Sequence, residues 1–424
     1  MATLIIIIFI LGYAAIAFEH SLKLNKAASA LITGVLCWAV YVLQAGSGHG
    51  AHEALLAHLG EISSILFFLL GAMTVVELID MHNGFDFITQ RIRTKKKATL
   101  LFLITGITFF LSALLDNLTT AIVMTSLCSK LLSDKEDRLW FAGMIVIAAN
   151  AGGAWSPLGD VTTTMLWIGG QITALNIIKQ LLLPSVAVCI VPVLILAFRF
   201  RGKTIGDNNL PGITKEEKQD GRIMLFTGIG LLLFVPAFKS LTGLPPFMGM
   251  LLALGLMWIV TTRLHKQKES EQAERFTVTR ALEKIDTSSI LFFLGILLAV
   301  SALQAAGVLT QLSGILSRQL HNDYAIGITL GLLSAIVDNV PLVAAAQGMY
   351  DLNTYPTDHM FWEFLALTTG TGGSAIIIGS AAGVAVMGIE PIGFGWYLKR
   401  ISWLALVGFA AGVLVYMLGR SLHF

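Results

Sequence analysis

Long apolar segments separated by short polar ones run through the whole chain. They lie near residues 2–19, 27–45, 62–80, 98–130, 139–172 and 176–198, and again near 222–238, 246–262, 287–304, 324–349, 360–389 and 401–419. Most of them reach the length of about 20 residues that an α-helix needs to cross the hydrocarbon core of a bilayer. The pattern predicts an all-α polytopic membrane protein.

The second six segments repeat the first six with an offset of about 220 residues. SSILFF at 63–68 returns at 288–293, and SALLDNLTTA at 112–121 matches SAIVDNVPLV at 334–343. Three glycines, Gly152, Gly153 and Gly159, also match Gly372, Gly373 and Gly379. Self-similarity at a fixed period indicates an internal duplication. It predicts a first repeat over residues 1–201, a cytoplasmic linker over 202–221 and a second repeat over 222–424.

Two segments have the wrong length for a simple crossing. The segment 98–130 has 33 residues, too many for one crossing and too few for two with a connecting loop. A polar cluster at Asp116 lies in its middle, and its counterpart at 324–349 contains Pro341, which interrupts a helix. Non-helical backbone at membrane depth occurs only where it is packed in protein or lines a cavity. Both segments are therefore predicted to be re-entrant hairpins.

Glycine-rich interruptions follow each hairpin at matching positions. They are NAGGAWSPLGD at 150–160, within the segment 139–172, and GTGGSAIIIGS at 370–380, within the segment 360–389. Broken helices at corresponding places in two repeats are typical of the substrate site of a secondary transporter.

The distribution of basic residues tests the orientation of the two repeats. If each hairpin makes no net crossing, each repeat crosses five times, and the second repeat must lie inverted with respect to the first. With the N-terminus outside, 24 of the 28 Lys and Arg residues fall on the inner side, as the positive-inside rule requires. This topology predicts an outward loop that contains His49, His52 and His58.

Composition restricts the function classes. Hydrophobic residues make up 55% of the chain, charged residues 13%, and the mean hydropathy is +0.78. These values exclude an ordinary soluble globule, and no basic stripe with interleaved aromatics indicates nucleic acid as a partner. The three cysteines have no spacing typical of a disulfide framework or zinc site. We expect no cofactor beyond the transported ions.

The candidate chemistry lies at the hairpin tips and the broken helices. A carboxylate at membrane depth costs about 2.5 to 3.5 kcal/mol, so it persists when it is paired, protonated or bound to a cation. Two Asp-Asn pairs, Asp116-Asn117 and Asp338-Asn339, occupy the tips, and oxygen ligands of this type suit Na⁺ or Li⁺. The metal ligands predicted for Na⁺ or Li⁺ are Asp116, Asn117, Asn150, Asp338 and Asn339. The wider predicted ion and proton site adds Thr119, Thr120, Asp160, Thr162, Thr163, Ser334, Thr369, Thr371 and Ser374.

Competition for a buried carboxyl group provides a mechanism for exchange. Burial disfavours the charged form of a carboxyl group, whereas a bound cation favours it. One aspartate can therefore hold either a proton or a metal ion. Glu77, late in the third apolar segment, is a further acid that we predict as a possible proton relay.

At these motifs the chain resembles the NhaD-type sodium/proton antiporters of the ion transporter superfamily. The resemblance is carried by GYAAIAFEHSLKLNKAA at 12–28, GAMTVVELIDMHNGF at 71–85, SALLDNLTTAIVM at 112–124, NAGGAWSPLGDVTTTMLW at 150–167 and SAIVDNVPLVAAA at 334–346. It implies efflux of Na⁺ or Li⁺ driven by proton entry, scaffold and transport domains, and a homodimer in a bacterial inner membrane.

Three alternatives remain at this stage. An anion carrier of the same superfamily, for arsenite or a carboxylate, would need positive helix ends or a buried cation at the tips. A passive channel would not move protons uphill against a Na⁺ gradient. An intramembrane aspartyl protease is suggested by Leu158-Gly159-Asp160 and Tyr350-Asp351, but residue 157 is Pro where the protease element has Gly. We therefore expect a transporter rather than an enzyme.

Overall fold

The computed structural model describes residues 2–17, 19–45, 49–85, 92, 94–205, 215–266, 276–320 and 322–422. Within these ranges the chain forms helices and no β-strand, as predicted. The predicted linker 202–221 lies partly outside the described residues, because 206–214 are not among them.

The described residues of the first half form nine helices. They are α1 (Ala2–Ala17), α2 (Glu19–Leu22), α3 (Lys26–Ala45), α4 (His49–Met81), α5 (Lys97–Leu115), α6 (Asn117–Leu131), α7 (Lys135–Ala154), α8 (Val161–Ile168) and α9 (Ala174–Arg199).

The helices of the second half follow from residue 215. They are α10 (Lys215–Thr242), α11 (Pro246–His265), α12 (Val278–Lys284), α13 (Thr287–Ala305), α14 (Val308–Leu320), α15 (Asp323–Leu333), α16 (Asn339–Met349), α17 (Met360–Gly372), α18 (Ala381–Ile389), α19 (Phe394–Arg400) and α20 (Ser402–Ser421). Two short 3₁₀ turns, Gly373–Ala375 and Ile377–Gly379, connect α17 to α18.

The surface of the described helices suits a bilayer. Eight of them are long and apolar enough to cross a membrane, or nine if α18 and α19, which meet at 118°, form one span. Large apolar side chains point outwards, and Leu43 and Leu241 are each 81% exposed. Such exposure is stable only against lipid or another apolar surface. The chain is therefore a multi-pass membrane protein.

Helix breaks occur in all four segments where the sequence predicts them. A single residue, Asp116, separates α5 from α6, and residues 334–338 separate α15 from α16. Pro341 then lies in the first turn of α16, where its missing N–H costs no intrahelical hydrogen bond. The predicted broken helices are interrupted between Ala154 and Val161 and between Gly372 and Ala381. That each hairpin returns to the same face of the bilayer stays a prediction.

The duplication is visible in how the helices pack. The pair α5 and α7 in the first half corresponds to α15 and α17 in the second, and the members of each pair contact one another. An added Cβ at Gly152 would overlap the carbonyl oxygen of Phe109, and one at Gly372 would overlap that of Gly331. Because glycine has no side chain, the backbones of each helix pair can touch. Small residues allow the same close approach in other pairs of membrane helices.

One element is longer than expected. The prediction that His49, His52 and His58 lie in a loop is wrong. These residues lie in the first turns of α4, which has 33 residues. Ala, Leu and Glu dominate residues 51–61, and these are strong helix formers. Helix propensity therefore extends α4 beyond the apolar segment that predicted it.

Glycine substitution tests the backbone contacts. We expect Gly152→Ala and Gly372→Ala each to destabilise the protein by about 1 to 3 kcal/mol, because the added methyl group must push two helices apart. The measurement is the thermal midpoint of the detergent-solubilised protein. Gly106→Ala in α5 is the matched control, since an added Cβ there meets no atom within 4 Å. Equal midpoints for all three variants would contradict the packing described here.

Candidate functional site

Asp160 lies where the two halves of the chain meet. Its Oδ1 accepts a hydrogen bond from Nδ2 of Asn117 at 3.3 Å, and its Oδ2 accepts one from Nδ2 of Asn339 at 3.3 Å. The Thr162 hydroxyl donates to the same Oδ2 at 2.7 Å. All four residues are buried. One carboxylate is therefore bound simultaneously by the tip of each predicted hairpin.

Asn150 connects this carboxylate to the second broken helix. Its Oδ1 accepts from Nδ2 of Asn117 at 3.1 Å, and its own Nδ2 donates to Oγ of Ser374 and Oγ of Ser380, both at 2.9 Å. These side chains are also buried. We refer to one group of residues as the central cluster: Asn117, Asn150, Asp160, Thr162, Asn339, Ser374 and Ser380.

Asp116 is turned towards its own helix. It caps α6, where its Oδ1 accepts from the Thr119 amide at 2.7 Å and its Oδ2 accepts from the Thr119 hydroxyl at 2.9 Å. Its backbone has φ of +85°, a region that side chains with a Cβ rarely adopt. Both carboxylate oxygens of Asp116 thus have partners in the first turn of α6, so its predicted role as a metal ligand stays a prediction.

Asp338 is partly buried and has neighbours that the sequence pattern did not single out. Its side chain caps α16 by accepting from the Val340 amide at 3.1 Å, and its own backbone N–H donates to the Tyr13 hydroxyl at 3.0 Å. The charges of Asp160 and Lys26 interact electrostatically with its carboxylate. Tyr13 and Lys26 both lie in the stretch 12–28 that carries part of the family resemblance, which was the available signal.

Two predicted ligands on α17 bond within their own helix. The Thr369 hydroxyl donates to the Leu365 carbonyl oxygen and the Thr371 hydroxyl to the Leu367 carbonyl oxygen, both at 2.6 Å. This is the usual bond of Ser and Thr to the carbonyl four residues earlier in a helix. In this arrangement neither hydroxyl has its proton directed towards the central cluster.

Two of the other predicted hydroxyl groups also donate to backbone carbonyls, and one does not. Ser334 donates to backbone carbonyls of Gly331 and Thr369, and Thr163 donates weakly to the Ala154 carbonyl oxygen at 3.3 Å. Thr120 differs, because its buried hydroxyl oxygen has no hydrogen-bond partner among the described residues. Buried polar atoms normally have partners, so this one is open to a bound ion or water.

Glu77 contacts a different part of the protein. Its Oε1 lies 3.5 Å from Nζ of Lys284 at the end of α12, and its side chain is 22% exposed. The ion pair of Glu77 is thus with Lys284, which is not a member of the central cluster. The relay role of Glu77 stays a prediction.

A second buried carboxylate, Glu363, was not anticipated from the sequence. It is fully buried on α17 and accepts from Asn176 at 2.6 Å, from the Tyr416 hydroxyl at 2.7 Å and from the Arg420 guanidinium. A buried carboxylate with three donors, one of them a guanidinium, is a satisfied structural group. It ties α17 to α9 and α20. The signal in the sequence was the single acid inside the apolar segment 360–389.

Four helix N-termini converge on the site. The residues at their N-cap positions are Asp116 for α6, Asp160 for α8, Asp338 for α16 and Ser380 for α18. The N-terminal end of a helix carries a partial positive charge, which stabilises a carboxylate placed there. The arrangement can therefore keep aspartates charged in a setting that would otherwise disfavour the charge.

The chain is similar over most of its length to a family of transporters and to sodium/proton antiporters. The model described as "Citrate transporter" (CitMHS) matches residues 5–372. Sodium/proton antiporter 1 of Arabidopsis thaliana is 48% identical over 99% of this chain and 72% of that protein. Sodium/proton antiporter 2 of the same plant is 45% identical over 97% and 98% of the two chains. The Na⁺/H⁺ antiporter NhaD of Vibrio cholerae is 32% identical over 97% of this chain and 91% of its own.

A comparison with solved structures supports the fold. The YdaH transporter of Alcanivorax borkumensis aligns with a TM-score of 0.57 over 89% of this chain and 90% of that one, at 13% identity. At that identity the likeness concerns the fold alone. The family model and the near full-length relatives show the family. The chain belongs to the citrate transporter family and to its NhaD-type sodium/proton antiporters.

Proposed function

We propose that the chain exchanges Na⁺ or Li⁺ for H⁺ across the bilayer, and that the two ions compete for the carboxylate of Asp160. The observation that carries the proposal is the double contact of this buried carboxylate with Asn117 from one repeat and Asn339 from the other. The names of the plant and bacterial relatives support the pair of ions.

The donor atoms around Asp160 could be rearranged to hold a cation. In the described arrangement the amide nitrogens of Asn117 and Asn339 donate to the carboxylate. A half-turn of each amide about its Cβ–Cγ bond would present an oxygen instead. One carboxylate with two amide oxygens, together with carbonyl groups freed at the helix breaks, is a donor set of the kind that binds Na⁺ in broken-helix transporters.

Proton binding would reverse the same rearrangement. A protonated carboxyl group carries no charge and can itself donate a hydrogen bond. It therefore no longer attracts a cation, and the amides are free to turn back. In the described arrangement Asn150 holds Asn117 next to Asp160, because its Oδ1 accepts from Asn117 and its own Nδ2 is fixed by Ser374 and Ser380. A half-turn of the Asn117 amide would break this bond, and turning back would restore it.

An anion carrier is not favoured by this arrangement. Helix N-termini alone would attract an anionic substrate. Three of the four N-termini at this site carry an aspartate, namely Asp116, Asp160 and Asp338. Charged carboxylates there would repel a carboxylate substrate, and the close relatives bear the names of cation antiporters.

The membrane location and the oligomeric state of the exchanger are a further part of this proposal. We propose a homodimer in a bacterial inner membrane, in line with the family resemblance. Bacterial relatives such as the Vibrio cholerae protein support the location, although two nearer relatives come from a plant.

Replacement of Asp160 tests the central carboxylate. We expect Asp160→Asn to lower Na⁺-dependent proton flux by roughly a hundredfold or more, because a loss of about 2.8 kcal/mol in cation binding corresponds to that factor. The measurement is fluorescence dequenching of a pH-sensitive dye in inverted vesicles. Asp351→Asn, at a solvent-exposed position, is the control and should keep full activity. Exchange that survives in Asp160→Asn would remove this residue from the mechanism.

Competition between the two ions predicts a definite dependence on pH. As pH falls, protons occupy the carboxyl group, so Na⁺ must displace them. We expect the Na⁺ concentration for half-maximal exchange to rise about tenfold for each pH unit below the point of half-protonation, as one-for-one competition requires. Flux at saturating Na⁺ should change much less. A half-maximal concentration that does not vary with pH would show that the two ions bind independently.

The need for a charge at Asp116 can be tested separately from the role of this residue as a helix cap. Asp116→Asn keeps an oxygen to cap α6 but removes the charge, and Asn caps helices about as well as Asp. We expect a thermal midpoint close to that of the wild type and loss of exchange. Asp286→Asn is a matched control, because Asp286 caps α13 through the amide and hydroxyl of Ser289 in the same way. Full exchange in Asp116→Asn would assign this residue to helix capping alone.

A further inference from the structure

A cavity of about 420 Å³ lies between α4 and α13 on one side and α8 and α16 on the other. Its polar lining consists of His58, Glu61, Ser64, Gln171, Ser301, Gln304 and Gln347. The Glu61 side chain is 79% exposed, so the cavity reaches the surface, and its carboxylate lies 3.6 Å from Nδ1 of His58. The polar part of the lining is mostly uncharged amide and hydroxyl groups, which can solvate a small cation without binding it tightly.

The cavity is connected to the central cluster by two adjacent helices. Helices α8 and α16 both begin at the cluster, where Asn339 donates to Asp160, and they contact one another along their length. At their far ends Nε2 of Gln347 donates to the Met165 carbonyl oxygen at 3.2 Å. Eight residues of α-helix span about 12 Å, which is the approximate distance from Asp160 to the level of Ile168.

A thin apolar layer separates the cavity from Asp160. Met165 and Ala344 form part of the cavity wall, and one turn nearer the cluster their helices carry Val161 and Val340. Met165, Val340 and Ala344 belong to one buried apolar cluster, with Val161 packed against it. One helical turn is about 5.4 Å, so the layer is about one side chain deep. Apolar constrictions of this kind exclude water and hydrated ions until they open.

We propose that this cavity is the external access path to Asp160 and that Val161 and Val340 close its inner end. The inference rests on the proposed exchange at Asp160. The external side follows from the basic residues: the cavity walls come from the helix ends opposite the inner face that holds 24 of the 28 Lys and Arg residues. Sodium or protons outside would reach the carboxylate when these two side chains move apart.

Cysteine labelling from one side of the membrane tests the path. The probe is a membrane-impermeant, positively charged methanethiosulfonate. It is added to intact cells that express variants with one added cysteine, Gln304→Cys at the cavity wall or Ala344→Cys near its inner end. Ala302→Cys is the matched control, because it lies on the same helix as Gln304 but is fully buried and does not line the cavity. The native cysteines, Cys37, Cys128 and Cys189, are buried, so the unmodified protein sets the background.

We expect both cavity positions to be labelled from outside and the control to stay at background. Labelling at Ala344→Cys should abolish at least nine-tenths of Na⁺-dependent proton flux, because the added group fills the inner end of the path. Labelling from the inner side only, or labelling at Ala344→Cys with flux unchanged, would overturn the access path. If Ala344→Cys fails to fold, labelling of Gln304→Cys with loss of flux gives the same result.

The same experiment separates this inference from the proposed function. Flux measured before labelling reports on exchange itself. If the unlabelled wild-type protein exchanges no Na⁺ for H⁺, the proposed function fails whatever the labelling shows. If it does exchange them but the cavity cysteines do not react, the function stands and only the access path is rejected.

Discussion

The structure depends on holding one carboxylate, that of Asp160, inside an apolar protein. Removing a charge from water is costly, and an isolated carboxylate inside a protein would take up a proton. Here Asn117, Asn339 and Thr162 donate to it, and it stands at the N-terminus of α8. Breaking four helices at one level supplies these donors and dipoles together. The interruptions of the helices are therefore what makes a charged site possible at this depth.

Close backbone contact keeps the broken segments in place. Helix α7 touches α5 at Gly152, and α17 touches α15 at Gly372, so the two predicted hairpins and the two broken helices are held by equivalent contacts. The equivalence explains why these glycines recur at a fixed offset in the chain. Any side chain there would separate the helices, and the side chains of the central cluster would lose hydrogen-bond distance.

Much of the architecture could be predicted from the sequence, because apolar length, proline, glycine and charge are local signals. The breaks at Asp116, before Asn339 and after Ala154 all follow from such signals. The extension of α4 was missed, since its first turns are too polar to register as a membrane segment. Helix propensity governs there instead.

The contacts of Asp160 with both asparagines were harder to predict. Aligning the repeats pairs it with Ser380, which makes it look like an exception beside the matched pair Asp116 and Asp338. Which aspartate accepts from both asparagines depends on contacts between residues up to 179 positions apart. No local pattern encodes such distances. For the same reason no local pattern could predict that the Asp116 carboxylate accepts from Thr119 in its own helix.

The bonds made by Asn150 restrict which parts of the molecule can move as one unit. This side chain belongs to the first repeat, yet it is fastened to Ser374 and Ser380 of the second. The two repeats therefore cannot slide past each other as separate rigid bodies without breaking these bonds. A group of helices that moves as one unit without breaking these bonds would have to include helices from both halves of the chain.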